Sequence, residues 1–380
     1  MKILHIITGL AAGGAERTLH NLLSGGLARE ISSAVVSLGD SGVYGQRIES
    51  LGVPVHALGM SRGLPSLQAV VKLRRIVRQY GPSLIQGWMY HGNIASWQAY
   101  RFAGYRPAFA WNIRQSLYSF SAEKYFTRWI IRANRRLSHV PSALLYNSTL
   151  SRSHHEAFGF HSAAGLVIPN GFDLMRWRPA LPGERSLVRK SLGIPEGATV
   201  VGHVARLHPM KDHACFLRAI SRLLEKHPTV HIILVGAGVA GENLALKPYL
   251  PKSTLMERVH LLGERHDIAK IMRSFDVLAQ SSWSEAFPNV LGEAMASGVP
   301  CVATEVGDSA QIIGDTGILV PPCSDIKLFE ALHRMIRFSV EERRCRGDAA
   351  RARIKLHFSL PVVVDRYAAL YHSLCQGVRL

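Results

Sequence analysis

Short apolar segments alternate with longer amphipathic ones over most of this sequence. The apolar segments are rich in β-branched residues and are bounded by Gly, Pro or polar residues, which is typical of strands buried on both faces of a parallel sheet. The first seven lie at residues 3–7, 34–38, 53–58, 84–88, 109–113, 143–146 and 166–169. The pattern predicts a doubly wound α/β domain.

The alternation stops between residues 171 and 199, where prolines and glycines are frequent, and we interpret that stretch as a linker. A second series of predicted strands follows at residues 200–205, 231–235, 259–262, 277–280, 301–304 and 318–320. The sequence therefore predicts two consecutive doubly wound domains, and ligands of such sheets bind outside the carboxyl ends of the strands. If the two carboxyl edges face each other, the active site lies in the cleft between them.

The end of the chain has helical periodicity, with Tyr367, Leu370, Tyr371 and Leu374 spaced by three or four residues. We expect a terminal helix, residues 356–380, that packs back on the N-terminal domain. The expected domains are residues 1–172 and 173–355, because 380 residues exceed what one core usually supports.

Composition bears on partners and compartment. Lys and Arg number 45 against 27 Asp and Glu, and the net charge of +18 attracts polyanions such as nucleic acid, anionic lipid headgroups or phosphorylated metabolites. The five cysteines form no CxxC pair, which favours reduced thiols in the cytoplasm over a zinc site. The apolar N-terminal run is interrupted by His5 and Thr8, so we do not interpret it as a signal peptide. We expect a cytoplasmic protein, soluble or peripheral.

The most informative stretch is residues 281–304, SSWSEAFPNVLGEAMASGVPCVAT. Glu285 follows a predicted strand, and Glu293 comes about two turns into the next helix. The backbone amides of Phe287, Asn289 and Val290 are expected at the start of that helix, where they form an anion site. Carboxylates beside it can accept hydrogen bonds from sugar hydroxyls. In the alternative interpretation, Glu285 caps the helix and Glu293 is a solvated helix residue.

Arg206 and Lys211 lie in a predicted loop between a strand and a helix. A planar guanidinium and a compact ammonium at a strand end suit a pyrophosphate, although both residues could also be solvated surface cations.

Gly13 and Gly14 precede the first predicted helix, where glycines allow close approach of the backbone to a phosphate but are also common in loops. His91 stands just past a predicted strand, where its near-neutral pKa is compatible with catalysis and a structural role is the alternative.

A GxGxxG pattern, the spacing of a dinucleotide fingerprint, occurs at Gly236, Gly238 and Gly241. It follows the second strand of its domain, and Pro248 and Pro251 interrupt the segment in which the fingerprint requires a helix. NAD binding is therefore a minor alternative.

The string at 281–304, the Arg206–Lys211 pair and the Gly13–Gly14 turn, in this order of strength, closely resemble the motifs of glycosyltransferase family 4, the group 1 glycosyltransferases. The similarity spans nearly the whole chain. It implies a GT-B fold, with two Rossmann-like domains facing each other across a cleft and a C-terminal helix crossing back. It also implies transfer from a UDP- or GDP-sugar with retention of anomeric configuration. Asp212 departs from the family, where Gly is common, and so does Ala286.

The resemblance also implies roles for individual residues. The N-terminal domain would bind the acceptor and the C-terminal domain the nucleotide sugar. The implied catalytic residues are His91, Arg206, Lys211 and Glu285. The implied donor-binding residues are Gly13, Gly14, Arg206, Lys211, Gly236, Glu264, Arg265, Glu285, Phe287, Pro288, Asn289, Val290 and Glu293. Supporting or acceptor-side roles are expected for residues 112–115, 146–148 and 170–173.

No cofactor or metal is expected. The sequence contains no DxD, Walker A or HExxH motif, and in the GT-B plan helix ends and cations stabilise the leaving diphosphate in place of a metal.

Residues 70–80 and 123–137 are predicted to form basic amphipathic helices. We predict that they bind the anionic inner face of the plasma membrane, hence a glycan or lipid-linked acceptor in envelope polysaccharide biosynthesis; a solvated cationic face is the alternative. Nucleic acid is not expected as a partner, because the matched motifs are acidic and amide-rich. The alternative functions are a sugar-nucleotide epimerase of the same two-domain plan, an NAD-binding enzyme and a non-catalytic basic binding module.

Overall fold

The computed structural model describes residues 1–11, 13–60, 66–118, 120 and 123–377. Its contacts divide the chain into two compact units. Unit 1 comprises Met1–Gly171 and Leu360–Leu380, and unit 2 comprises Phe172–Ser359.

In the part of the chain that the structure describes, thirteen strands alternate with helices, and each predicted strand is confirmed to within two residues at either end. The strands are β1 (Lys2–Ile7), β2 (Ser32–Ser37), β3 (Val55–Ala57), β4 (Leu84–Trp88), β5 (Ala108–Ile113), β6 (Ala143–Tyr146), β7 (Gly165–Val167), β8 (Thr199–Val204), β9 (Val230–Val235), β10 (Val259–Leu261), β11 (Val277–Gln280), β12 (Cys301–Thr304) and β13 (Ile318–Val320).

The helices, in chain order, are α1 (Gly14–Leu22), α2 (Ala28–Glu30), α3 (Gly42–Glu49), α4 (Leu67–Tyr80), α5 (Met89–Phe102), α6 (Tyr125–Leu137), α7 (Thr149–Ala157), α8 (Glu184–Ser191), α9 (His213–Lys226), α10 (Ile268–Met272), α11 (Asn289–Ala296), α12 (Ser309–Ile313), α13 (Asp325–Arg337), α14 (Val340–His357) and α15 (Leu360–Cys375). Among the described residues, none of these helices is both long enough and apolar enough to cross a membrane.

Both sheets are parallel and doubly wound. Unit 1 has seven strands in the order β3-β2-β1-β4-β5-β6-β7, and unit 2 has six in the order β10-β9-β8-β11-β12-β13. In each sheet the strand order reverses at one point, between β1 and β4 and between β8 and β11. Such a switch point opens a crevice at the carboxyl ends of the two strands, where ligands bind. In unit 2, the loops that hold Arg206, Lys211 and Glu285 follow β8 and β11.

The terminal helix α15 belongs to unit 1. Val363, Tyr367 and Tyr371 are buried in the core formed with β1 and β4. The Tyr371 hydroxyl donates to the side chain of Gln86, and Asn112 Nδ2 donates to the Tyr367 hydroxyl at 2.9 Å. The expected helix at residues 356–380 is interrupted at its start, because α14 runs to His357 within unit 2 and α15 begins at Leu360.

The interpretation of residues 171–199 as a linker was wrong for much of the stretch. Helix α8 forms there and packs within unit 2. Its Arg189 is buried, pairs with Asp276 at 2.7 Å and donates to the carbonyls of Ser274 and Ala198. The residues that hold α8 lie far along the chain, so a local excess of Pro and Gly could not reveal them.

Candidate active site

Two loops meet at the switch point of unit 2, one after β8 and one after β11. The Ser281 hydroxyl donates to the carbonyl of Lys211 at 2.9 Å. Trp283 donates through its backbone amide to the carbonyl of Met210 and through its ring nitrogen to the carbonyl of Pro209, both at 3.0 Å. These bonds fix the two loops to each other, and with them the side chains that they carry.

Lys211 and Glu285 form an ion pair across these loops. The hydroxyl of Ser282 donates to the same carboxylate oxygen, Oε1 of Glu285, at 2.7 Å. The two charged side chains are 25% and 12% exposed, so solvent screens this pair less than it screens a surface pair. The sequence predicted separate tasks for Lys211 and Glu285, and the structure shows that they are partners.

Arg206 is exposed in the loop after β8. Glu285 lies in the loop after β11, the strand next to β8 in the sheet. On the other side, the neighbour of Arg206 is Gly236, at the end of β9. A Cβ atom on Gly236 would overlap the carbonyl group of Ala205, so only glycine allows the backbones of these adjacent strand ends to approach so closely. The predicted donor residues after β8 and β9 are therefore close together.

The Gly236–Gly241 pattern is not followed by the helix that a dinucleotide fingerprint needs. Residues 236–258, all of them described, hold turns and two short 3-10 helices, Lys247–Tyr249 and Ser253–Arg258. The amide of Gly236 donates to the carbonyl of Gly263 at 2.8 Å. The geometric basis for NAD binding at this loop is therefore missing.

Glu264 and Arg265, expected near the nucleotide base, are exposed in the turn after β10. The guanidinium of Arg265 forms two hydrogen bonds with the carboxylate of Asp267, each 2.9 Å long. Both residues lie at the carboxyl edge of the sheet, two strands from β8.

Helix α11 begins at Asn289, where the sequence places it, with Pro288 as the preceding residue. Phe287 is buried and stacks on Phe172, with ring centroids 6.2 Å apart. Glu293 is only 8% exposed, so the alternative of a solvated helix residue is wrong.

The two departures from the family pattern have structural explanations. Asp212 adopts a left-handed conformation, with φ of 45°, which glycine adopts without strain. Its carboxylate accepts a hydrogen bond from the Cys215 amide at 3.1 Å and so caps α9. Ala286 does not have a positive φ, so its backbone does not require glycine, and its carbonyl accepts a hydrogen bond from the amide of Asp308 at 3.1 Å. Both substitutions are thus compatible with the observed backbone.

In unit 1, Gly13 and Gly14 lie at the N-terminus of α1, with Gly13 as the residue that precedes the helix. Gly13 is the N-cap residue and has no side chain to cap the helix. The carboxylate of Glu16 lies so close to Gly13 that a Cβ atom there would overlap it. Burial raises the pKa of Glu16. The predicted phosphate-approach site is therefore covered by an acidic side chain.

His91 lies in the first turn of α5 rather than in a loop. Met89, where strand β4 turns directly into the helix, has a positive φ of 63°. The His91 ring faces Phe126 at 6.3 Å, and burial lowers the pKa of His91, which favours the neutral imidazole at pH 7. A neutral imidazole can accept a proton.

Sequence reasoning missed how Arg114 is held in unit 1. Its guanidinium donates to Asn112 Oδ1 at 3.1 Å, to the Tyr367 hydroxyl at 3.0 Å and to Asn170, and it lies 5.9 Å from the ring of Trp88. Residues 112–115 lie at the end of β5, and residues 170–173 follow β7. Their meeting with α15 depends on tertiary structure.

Within the described ranges, no group of three or more His, Cys, Asp or Glu side chains is placed to hold a metal ion. Whether the protein needs a metal stays a prediction from the sequence.

Two parallel, doubly wound sheets of seven and six strands, one in each unit, are the plan of the GT-B fold. HepE of Anabaena, solved in complex with UDP, superposes with a TM-score of 0.83 at 24% identity, over 98% of this chain and 100% of that one.

The model for Glycosyltransferase Family 4 matches residues 12–176, and the model for Glycosyl transferases group 1 matches residues 198–337. The chain belongs to this family of glycosyltransferases.

Three curated relatives are glycosyltransferases by name, and two of the names state a substrate. EpsF of Bacillus subtilis, named a glycosyltransferase, is 28% identical over 80% of this chain and 79% of its own length. The D-inositol 3-phosphate glycosyltransferase of Nocardia farcinica is 35% identical over 40% of this chain and 36% of its own. The UDP-Gal:alpha-D-GlcNAc-diphosphoundecaprenol alpha-1,3-galactosyltransferase of Escherichia coli is 29% identical over 54% of this chain and 53% of its own.

Proposed function

We propose that this glycosyltransferase moves a hexose from a UDP- or GDP-sugar to a glycan or lipid-linked acceptor, with retention of anomeric configuration, in envelope polysaccharide biosynthesis. The observation that carries the proposal is the Lys211–Glu285 pair at the switch point of unit 2, close to the start of α11. The UDP and UDP-glucose complexes of HepE support the choice of donor.

In this proposal the donor diphosphate binds Arg206, Lys211 and the amides near Val290. Glu285 accepts hydrogen bonds from the sugar, and Glu293 from the ribose. Binding of the diphosphate gives Lys211 a second anionic partner, whose charge increases as the glycosidic bond breaks, so the ammonium stabilises the transition state more than the ground state. The acceptor hydroxyl attacks from the same face, and the departing phosphate oxygen takes its proton. No metal takes part.

Thermal stabilisation by nucleotides tests the donor site. UDP or GDP should raise the unfolding midpoint of the wild type with concentration, and Lys211→Ala should abolish the shift and lower turnover about 10²–10³-fold. Lys270→Ala, which removes an exposed lysine of α10 in the same unit, is the matched control. Activity should persist in EDTA.

Stabilisation by NAD alone, or wild-type turnover in Lys211→Ala, would refute this donor site. Release of an altered sugar nucleotide without any acceptor would identify an epimerase instead.

The acceptor side of the proposal rests on charge and on one relative. Helices α4 and α6 carry exposed cations, including Arg74, Arg75, Arg132 and Arg136, and α6 also exposes Trp129. Such a surface suits an anionic bilayer, where Trp prefers the interface. The Escherichia coli relative is named for a diphosphoundecaprenol-linked acceptor.

Co-sedimentation with vesicles tests this membrane surface. The protein should sediment with anionic phosphatidylglycerol vesicles at low salt and remain in solution with neutral vesicles. The pair Arg74→Glu and Arg75→Glu should reduce the bound fraction several-fold, since each basic residue near the surface contributes about 1 kcal/mol. Arg344→Glu with Lys355→Glu makes the same change of net charge on α14 and should bind as the wild type does. Equal vesicle binding by the two double variants would contradict a membrane-binding face on α4.

A further inference from the structure

Unit 1 contains an apolar groove that the proposed donor chemistry does not use. It lies over α5, between α4 and α6, and has a volume of about 280 Å³. Its lining residues come from these three helices and the ends of two strand loops: Leu38, Leu58, Met60, Ala69, Val70, Leu73, His91, Ile94, Ala95, Gln98, Phe126 and Ile130.

The floor of the groove is one face of α5. His91, Ile94, Ala95 and Gln98 are spaced at three and four residues, so the floor runs for roughly 10 Å along the helix. Because α5 follows β4 without a loop, the His91 end lies at the carboxyl edge of the sheet, where substrates of doubly wound units bind. The groove therefore leads away from the expected reaction side along an apolar path.

The groove is too small for a folded partner. An α-helix with its side chains is about 10–12 Å across, and pockets for compact drug-sized ligands usually begin near 300 Å³. Among the described residues that line it, His91 and Gln98 alone have polar side chains, so the lining suits an apolar ligand better than a nucleotide. A single hydrocarbon chain fits both the volume and the apolar lining.

The surroundings indicate what the chain is attached to. On α4, the ammonium of Lys72 donates to the carbonyl of Ala57 at 2.6 Å, next to the lining residue Leu58, and the exposed Arg74 follows the lining residue Leu73. Cations beside an apolar groove are complementary to an amphiphile with an anionic head, such as an alkyl or prenyl phosphate.

We propose that this groove binds the hydrocarbon chain of a phosphate-linked lipid acceptor, with the sugar-bearing end towards His91 and the chain along Ile94 and Ala95. This inference rests on the proposed function and specifies its acceptor. The enzyme would then select its acceptor by the acceptor's hydrocarbon chain as well as by its sugar.

The test measures binding of n-alkyl phosphates, from butyl to decyl, by isothermal titration calorimetry below their critical micelle concentrations. Each added methylene that enters the groove should tighten binding about fourfold, until the groove is full and the dependence levels off. Val70→Trp should fill the groove and remove the dependence on chain length. Val71→Trp places the same ring on the next residue of α4, which is 52% exposed and does not line the groove, and should keep the dependence.

Equal behaviour of the two tryptophan variants, or wild-type affinity that does not change with chain length, would overturn the proposal. If Val70→Trp lowers co-sedimentation with vesicles but leaves alkyl phosphate binding intact, bulk bilayer lipid is the occupant and the acceptor assignment is wrong. Stabilisation by UDP or GDP, measured in parallel, is expected to be unchanged in both variants. Loss of that stabilisation in the wild type would count against the donor site and not against the groove.

Discussion

Glu16 occupies the position at which a phosphate is expected to approach the first helix of the chain. Its carboxylate lies over Gly13 at the N-terminus of α1, where the helix dipole favours negative charge. A substrate phosphate at the same place would meet a like charge or would have to displace it. We therefore predict that this acidic side chain weakens the binding of a phosphate at the start of α1.

We expect Glu16→Gln to bind UDP about two- to fivefold more tightly than the wild type, because a repulsion of roughly 0.3–1 kcal/mol is removed. The raised pKa of Glu16 also predicts that the advantage of the variant shrinks as the pH falls through that pKa, since the wild-type carboxyl then becomes neutral. Titration calorimetry at several pH values measures both effects. Glu30→Gln, an exposed change on α2, is the control, and identical affinities in the two variants would contradict the prediction.

At single positions, the sequence indicated which residue types matter but not how they pair. Lys211 and Glu285 are 74 positions apart, and nothing local to either predicts that one ammonium and one hydroxyl share the same carboxylate oxygen. The burial of Glu293 was equally invisible, because it depends on what packs over α11. Residue chemistry at strand ends can be read from sequence, whereas partners depend on the fold.

The loop that carries Glu285 depends on a glycine in the next strand–helix connection. Gly307 has a φ of 55°, and a Cβ atom there would overlap the carbonyl oxygens of Glu285 and Ala286. The atoms that a Cβ atom at Gly307 would meet belong to the backbone, which cannot rotate away as a flexible side chain would. The position of Glu285 is therefore sensitive to a residue 22 positions later.

Gly307→Ala should destabilise unit 2 by more than the roughly 1–2 kcal/mol that a left-handed alanine costs, and it should lower turnover by displacing Glu285. Gly193→Ala is the matched control, because Gly193 has a φ of 67° in open space. Gly193→Ala should lose only the roughly 1–2 kcal/mol that the left-handed conformation costs an alanine, and it should keep full turnover. Urea unfolding and initial rates measure the two effects; equal losses in both variants would show that the contact is unimportant.

At the scale of elements, strands were more predictable than connections. Burial on both faces produces an uninterrupted apolar run, which can be recognised without knowing the neighbours. Helix α8 was missed for the opposite reason, because Arg189 and its partner Asp276 stabilise a segment whose composition indicates a turn. The glycines at 236–241 were ambiguous in sequence, since close backbone packing and phosphate binding select the same residue, and the prolines that follow correctly argued against a dinucleotide site.

The stability of the molecule should depend on pH through histidines buried without charge. Burial lowers the pKa of His5 and of His155 to about 4, from 6.5. The unfolded chain therefore binds more protons than the folded one between these values, so stability is greatest above pH 6.5 and is lost as the pH falls towards 4. Each histidine contributes up to about 3 kcal/mol to this loss.

The free energy of unfolding, measured with urea, should decline as the pH falls from 7.5 to 4.5. In His155→Gln the decline should be shallower, although the variant starts from lower stability because the Tyr90 hydroxyl, 2.6 Å from the His155 ring nitrogen, loses its partner. His139→Gln, at an exposed site, should follow the wild type. A His155→Gln curve parallel to that of the wild type would rule out this titration as a cause.

The chain enters unit 2 at residue 172 and leaves it at residue 359, so unit 2 is continuous and unit 1 is not. During translation, residues 1–171 leave the ribosome first, yet their core lacks Val363, Tyr367 and Tyr371 until the last helix has been made. Unit 2 can close its own core earlier. Of the two units, the one whose synthesis begins earlier is thus completed later, and removing α15 should damage unit 1 while leaving unit 2 intact.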